Sequence, residues 1–334
     1  MAAYTAIDDP TVYFRTKLYN GNNNPQNITW DETDVEMQPD LMWIKSRAGN
    51  TVFSHVLGDS VRGGGIYSHP NTDVAEVSNN NVIATFNSNG FSVGGATFVS
   101  EGSRTYVAWG WKESATSGVD IATYTGNGSG GLSVSHSLSA APTLMIAKRR
   151  DADGNWRVYH SGLGDVNAYL DLGETAASST TNNPFNGTAP NTTRWLAGNE
   201  AFTNADGGTY VVYAFAEKQG FSKFGSYVGN GNADGPFVYM GFKPAMVIYK
   251  RSSDGTNNWS IFDNKRDPFN EIDAQLNPNI ADAEGTSLRG DFVSNGWKVR
   301  ATAGSTNANG VTYIFIAFAE APLVNSEGVP CNAR

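Results

Sequence analysis

The chain has 334 residues, 40% of them hydrophobic and 12% aromatic, ample material for sizeable cores and for roughly two or three domains. Lys+Arg 23 against Asp+Glu 32 gives a net charge of -9, and the Lys148-Arg149-Arg150 cluster is too short to hold a nucleic-acid backbone, which excludes nucleic acid as the primary partner. A single cysteine, Cys331, excludes an internal disulfide framework and a cysteine-based metal site.

The N-terminal MAAYTAIDDPTVYF has neither a basic nor an apolar signal region, and no run approaches the length of apolar residues that spans a bilayer. The expectation is a chain without classical secretion or membrane insertion. Farther along, three markers recur in one order, about a hundred residues apart. The first is Tyr19-Asn-Gly-Asn22, Tyr124-Thr-Gly-Asn-Gly128 and Tyr227-Val-Gly-Asn-Gly231. The second places a lysine six residues after a proline: Pro39 to Lys45, Pro142 to Lys148 and Pro244 to Lys250, with Arg47, Arg149 and Arg251 close behind. The third runs from tyrosine to glutamate: Tyr106 to Glu113, Tyr210 to Glu217 and Tyr313 to Glu320. Between markers the outer copies share more with each other. Asp59-Ser-Val-Arg62 matches Asp263-Asn-Lys-Arg266, and Ala75-Glu76 matches Ala283-Glu284, with no clear middle counterpart.

Each copy reads as β. Its apolar runs are short, rich in Val, Ile, Tyr, Phe and Trp, and bounded by Gly, Asn, Asp, Ser and Pro. Leu132-Ser-Val-Ser-His-Ser-Leu138 alternates apolar and polar, the period of a half-buried strand. Asp153-Gly154, Asp254-Gly255 and Asn295-Gly296 have hairpin-turn chemistry. The predicted fold is all-β, three tandem β-sandwich (jelly-roll-like) modules: residues 1–115 with an N-terminal arm, 116–219, 220–322, then a C-terminal tail, 323–334. Short linkers fall near residues 113–119 and 217–221.

Several motifs invite chemistry. Gly126, Gly128 and Gly131 satisfy a G-x-G-x-x-G spacing, but a nucleotide turn needs a helix directly after the glycines, and here a strand follows, so the glycines are assigned to a turn. Asp151-Ala-Asp153-Gly-Asn155 resembles the opening of a calcium loop but lacks the glutamate expected later, since position 162 is glycine. A hairpin turn is the expectation, a weak cation site the alternative. His55, His69, His136 and His160 show no zinc spacing. Glu113, Glu217 and Glu320 recur once per copy and read as scaffold, while Asp59 with Arg62 and Asp263 with Arg266 read as ion-paired turn residues. No cofactor and no catalytic residue is expected, although a carboxylate pair for glycoside hydrolysis needs no local motif. Of eight tryptophans, Trp43, Trp109 and Trp111 lie within repeat strands and are expected in the core. Trp30, Trp156, Trp195 and Trp259 border polar loops and are the candidate contacts for a glycan or partner.

Tyr4-Thr-Ala-Ile-Asp-Asp-Pro-Thr-Val-Tyr-Phe14, Gln38-Pro-Asp-Leu-Met-Trp-Ile-Lys45, Gly225-Ser-Tyr-Val-Gly-Asn-Gly231, Asp234-Gly-Pro-Phe-Val-Tyr239, Ala319-Glu-Ala-Pro322 and the terminal Asn332-Ala-Arg334 together resemble a repeated domain of unknown function found in virion proteins of marine tailed bacteriophages. The resemblance implies a non-enzymatic virion structural protein of the particle surface, a tail fibre, spike or knob, or else a capsid decoration. It carries no catalytic residues. Implied partners are other virion proteins, further copies of the chain and a host surface glycan. Without a coiled-coil or collagen-like shaft, a compact spike, knob or decoration suits the length better than a complete long fibre.

Overall fold

The runs Leu41-Met-Trp-Ile44, Leu144-Met-Ile-Ala147 and Met246-Val-Ile-Tyr249 are apolar at every position, which suits a strand covered on both faces. A computed structural model describes residues 4–32, 34–49 and 52–331 of the protein, so the terminal Asn332-Ala-Arg334 of the virion-domain resemblance lies outside the described residues. The three runs are buried throughout.

The first third of the chain forms β1 (Phe14–Asn20), β2 (Gln26–Thr29), β3 (Leu41–Ser46), β4 (Val56–Asp59), β5 (Ile66–Tyr67), β6 (Val77–Ser78), β7 (Ile83–Asn87), β8 (Gly90–Val93), one helical turn α1 (Thr97–Ser100) and β9 (Thr105–Trp111). The middle third forms β10 (Val119–Thr125), β11 (Leu132–Ser135), β12 (Leu144–Arg149), β13 (Arg157–His160), β14 (Leu170–Asp171), β15 (Arg194–Ala197), α2 (Ala201–Asn204) and β16 (Thr209–Phe215). The last third forms β17 (Ser222–Val228), β18 (Phe237–Tyr239), β19 (Phe242–Arg251), β20 (Ser260–Asp263), β21 (Ile272–Gln275), β22 (Gly285–Val293), β23 (Gly296–Val299), α3 (Gly304–Asn307) and β24 (Thr312–Pro322). The fold is all-β. The helical turns, which no sequence periodicity announces, stand at one place in each copy.

Three antiparallel main sheets repeat one order: β1-β9-β3-β4, β10-β16-β12-β13-β14 and β17-β24-β19-β20. Each carries a smaller layer of its own: β2-β8-β7 with the ribbon β5-β6, the ribbon β11-β15, and β18-β23-β22-β21. In the middle copy this layer is thinner than a jelly-roll requires, and Phe185, from a stretch without strands, fills part of its core. Side chains alternate along the main strands. Met42 and Ile44, Met145 and Ala147, and Val247 and Tyr249 face each copy's own second layer, in three separate clusters. Leu41 and Trp43, Leu144 and Ile146, and Met246 and Ile248 all enter one common cluster.

The repeat leaves open whether the copies stand in line or around an axis; the three main sheets turn their second faces toward one another around a shared core. At its centre a cavity of about 30 Å3 is lined by Trp43, Ile146 and Ile248 among others. The linkers are tight turns closed by the Ser114–Val119 and Lys218–Ser222 bridges. Among the described residues no helix is long and apolar enough to cross a membrane.

Candidate functional site

The repeated lysine is a strut between copies. Lys45 Nζ donates to the Ala281 carbonyl at 2.9 Å, Lys148 Nζ to Asp73 at 2.8 Å, and Lys250 Nζ to Thr175 at 2.8 Å. Each copy thus reaches the one before it, and the first reaches the third, which closes a ring. Burial is the main cause that lowers each ammonium to about 8. A second set of bonds follows the same cycle. His55 Nε2 meets the Asn277 carbonyl at 3.0 Å, Trp156 Nε1 donates to those of His69 and Thr72 at 3.1 Å, and Trp259 Nε1 donates to that of Asp171 at 3.0 Å.

The ends of β4, β13 and β20 make a third set. Tyr213 donates to Asp59 Oδ2 at 2.9 Å and Trp109 Nε1 to Asp263 Oδ2 at 3.1 Å. Asp59 and Asp263 also hold the fully buried guanidinium groups of Arg62 at 2.6 Å and Arg266 at 2.5 Å, the turn pairs expected from the sequence. In the middle copy His160 takes the place of the aspartate. Its Nδ1 accepts from Gly162 N, so its Nε2 carries the proton to the Phe315 carbonyl at 3.0 Å. Burial keeps this imidazole neutral by lowering it to about 4. Glu76 bridges Arg62 and Arg150, and Glu284 bridges Arg266 and Arg47, so the matched Ala-Glu pairs of the outer copies are both contacts between copies.

The glycine phrase closes a turn. A Cβ on Gly126 would lie 2.2 Å from the Ala205 carbonyl oxygen, and Gly128 has φ +70°. Asn204 locks the turn by donating to Asn127 Oδ1 and to the carbonyls of Ser129 and Gly198, and Asn307 repeats this on Asn230, Asn232 and Ala301. The strand β11 follows the glycines, as the sequence indicates. Of the three predicted hairpin glycines, Gly255 takes a left-handed φ of +68°, Gly154 does not, and Gly296 opens β23 in the hairpin with β22. The carboxylates of the Asp151–Asn155 turn have protein partners: Asp151 accepts from Arg149 and Thr209 N, and Asp153 from Ala75 N. Among the described residues no three His, Cys, Asp or Glu side chains are grouped to hold a metal ion. Glu113 and Glu217 accept from the first strand of the next copy, at Ile121 N and Phe224 N. Glu320 holds Lys243 and Asn264.

Trp43, Trp109 and Trp111 are buried, as expected. The four candidate contact tryptophans require a correction, since Trp30, Trp156, Trp195 and Trp259 are each at most 2% exposed. They border loops in sequence, yet those loops fold over them, and a covered indole offers no face to a sugar. Trp156 borders a cavity of about 300 Å3, with Asn71, Asp73, Asn155 and Glu174 around it.

Exposed aromatic rings lie elsewhere, at Phe269, 78% exposed, and as a pair on β18, where Phe237 is 47% and Tyr239 53% exposed. Tyr239 borders a cleft of about 360 Å3 with Tyr4, Glu217, Gln219, Ser222 and Lys223. Tyr4 donates to the Gly241 carbonyl at 2.8 Å and lies 3.4 Å from the Tyr239 hydroxyl. Burial first, then the bond to Tyr239, raises the Tyr4 phenol to about 12. Lys223 pairs with Glu217 at 3.3 Å. A further cavity, of about 200 Å3, opens between the first and third copies, with Glu32 and Glu320 among its lining residues. Glu32 is paired there with Lys265 at 2.9 Å.

No curated protein and no solved structure matches the chain. Residues 9–322 match the family model described as Domain of unknown function (DUF7483), a span that takes in all three copies, and the chain belongs to that family.

Proposed function

We propose that the protein is a structural component of the exterior of a tailed-bacteriophage particle, a compact tail spike or knob that assembles with other virion proteins and further copies of itself and contacts host surface glycans. The observation that carries the structural half is the use made of the repeated polar residues. Lys45, Lys148 and Lys250, together with Glu76 and Glu284, hold the copies to one another and so serve a rigid body rather than one reacting centre. The virion half rests on the resemblance of the Tyr4–Phe14, Gln38–Lys45 and Gly225–Tyr239 phrases. The alternative within the class is a capsid decoration without a receptor role.

Mass spectrometry of purified particles, with immunogold labelling, tests the proposal. Three or six copies at the tail are expected for a spike, and many copies over the head would make it decoration. Absence from particles would overturn both. A glycan-degrading reading would rely on two carboxylates that share a cavity, Glu32 with Glu320 or Asp73 with Glu174, and release of reducing ends by the purified chain would replace the structural reading with it.

A further inference from the structure

The three copies provide an internal control for the exposed aromatics of β18. Strands β2, β11 and β18 occupy one place in the fold, each paired antiparallel with the strand that opposes an aromatic residue to its buried centre: Ile28 to Phe91, Val134 to Trp195 and Val238 to Trp297. The residues on either side of that centre point outward. They are Asn27 and Thr29 in the first copy, Ser133 and Ser135 in the second, and Phe237 and Tyr239 in the third, all exposed. The scaffold is therefore built twice with small polar residues where the third copy places two aromatic rings in water. Folding gains little from rings left half exposed, so their retention points to a surface contact.

The surroundings select the ligand. The Tyr239 ring borders a cleft whose other side chains, Tyr4, Glu217, Gln219 and Lys223, offer both donors and acceptors. An exposed ring beside such groups suits a pyranose, whose C–H face stacks on the ring while its hydroxyls reach the polar rim. The Lys223–Glu217 pair balances the charge of the cleft, and the chain as a whole is acidic, which favours a neutral sugar. Strand β18 is also a sheet edge, but its three residues are short for the addition of a partner strand.

We propose that Phe237 and Tyr239, with the cleft at Tyr4, form a binding site for a neutral hexose-containing glycan, an assignment that rests on the glycan-contact part of the function proposed above. The test uses the full chain on an array of neutral bacterial surface polysaccharides and of dextran, mannan and chitin hexasaccharides, followed by titration of the ligands bound. The comparison is the double variant Phe237→Ser, Tyr239→Ser, which copies the second copy's residues at these positions. The wild type is expected to bind at least one neutral glycan and the variant to bind it at least tenfold more weakly at an unchanged melting temperature. No binding by the wild type, or equal binding by the variant, would overturn the site. So would a variant whose oligomeric state or melting temperature changes instead, since the rings then serve a protein contact or the fold. Particle composition separates the two proposals. A chain that binds glycan but is absent from particles sinks the virion reading alone, and one present on particles without glycan binding sinks the site alone.

Discussion

His160 and Asp59 stand at the same place in different copies and make a contact between copies with opposite chemistry, a neutral donor in one and a buried anion in the other. For His160 a response to pH follows. The folded pKa of His160 lies below its unfolded value, so its stability is fully present above pH 6.5 and is lost as pH falls toward about 4. His55, also buried, is lowered in the same sense. Between pH 6.5 and 5 these imidazoles should dominate, and His160 should remove about 1.5 kcal/mol. Thermal unfolding against pH checks this, with a shallower slope expected for His160→Gln. Glu76 is held down by Arg62 and Arg150, and Glu76→Gln leaves the buried Arg62 with Asp59 as its remaining carboxylate. A loss of about 2 kcal/mol in urea unfolding is expected, coupled to Arg150→Gln in a double-mutant cycle.

At the scale of the element, the tyrosine-glycine-asparagine phrase joins its strand to the helical turn of the same copy. Tyr124 stacks on Tyr210 with ring centroids 5.0 Å apart and donates to the Thr203 carbonyl, and Tyr227 with Tyr313 and Thr306 repeats the arrangement. Gly126→Ala drives a methyl group into the Ala205 carbonyl and should lower the melting temperature sharply. Gly128→Ala should cost about 1 kcal/mol through its left-handed backbone. Gly128→Asn should cost less, because Asn23 holds a φ of 64° in the first copy. Calorimetry of the three variants ranks them. This also explains why the second glycine of the dinucleotide spacing is not kept in every copy: the turn requires a left-handed residue there, and Asn23 supplies one in the first copy.

For the whole molecule, the shared cluster makes each copy depend on the others. Residues 116–219 alone would expose Leu144, Ile146, Tyr213 and Phe215, all buried in the common core. That fragment should fail to give a cooperative transition by circular dichroism, whereas the full chain should unfold in one. A fragment that folds alone would show that the central face is not needed. The repeat, the all-β class, the burial of Trp43, Trp109 and Trp111, and the Asp–Arg turns were legible in sequence, because strand periodicity, side-chain type and close spacing are local properties. The outward pairs Asn27/Thr29, Ser133/Ser135 and Phe237/Tyr239 are also written there, but their equivalence emerges only from the strand register. The covered tryptophans were not legible, since a polar loop beside an indole in sequence can fold over it or away from it. The sequence by itself determined that three like units would be built from strands. Only the tertiary structure decided that they close into a ring, because closure depends on contacts such as Lys45 to Ala281, between residues far apart in the chain that no local pattern relates.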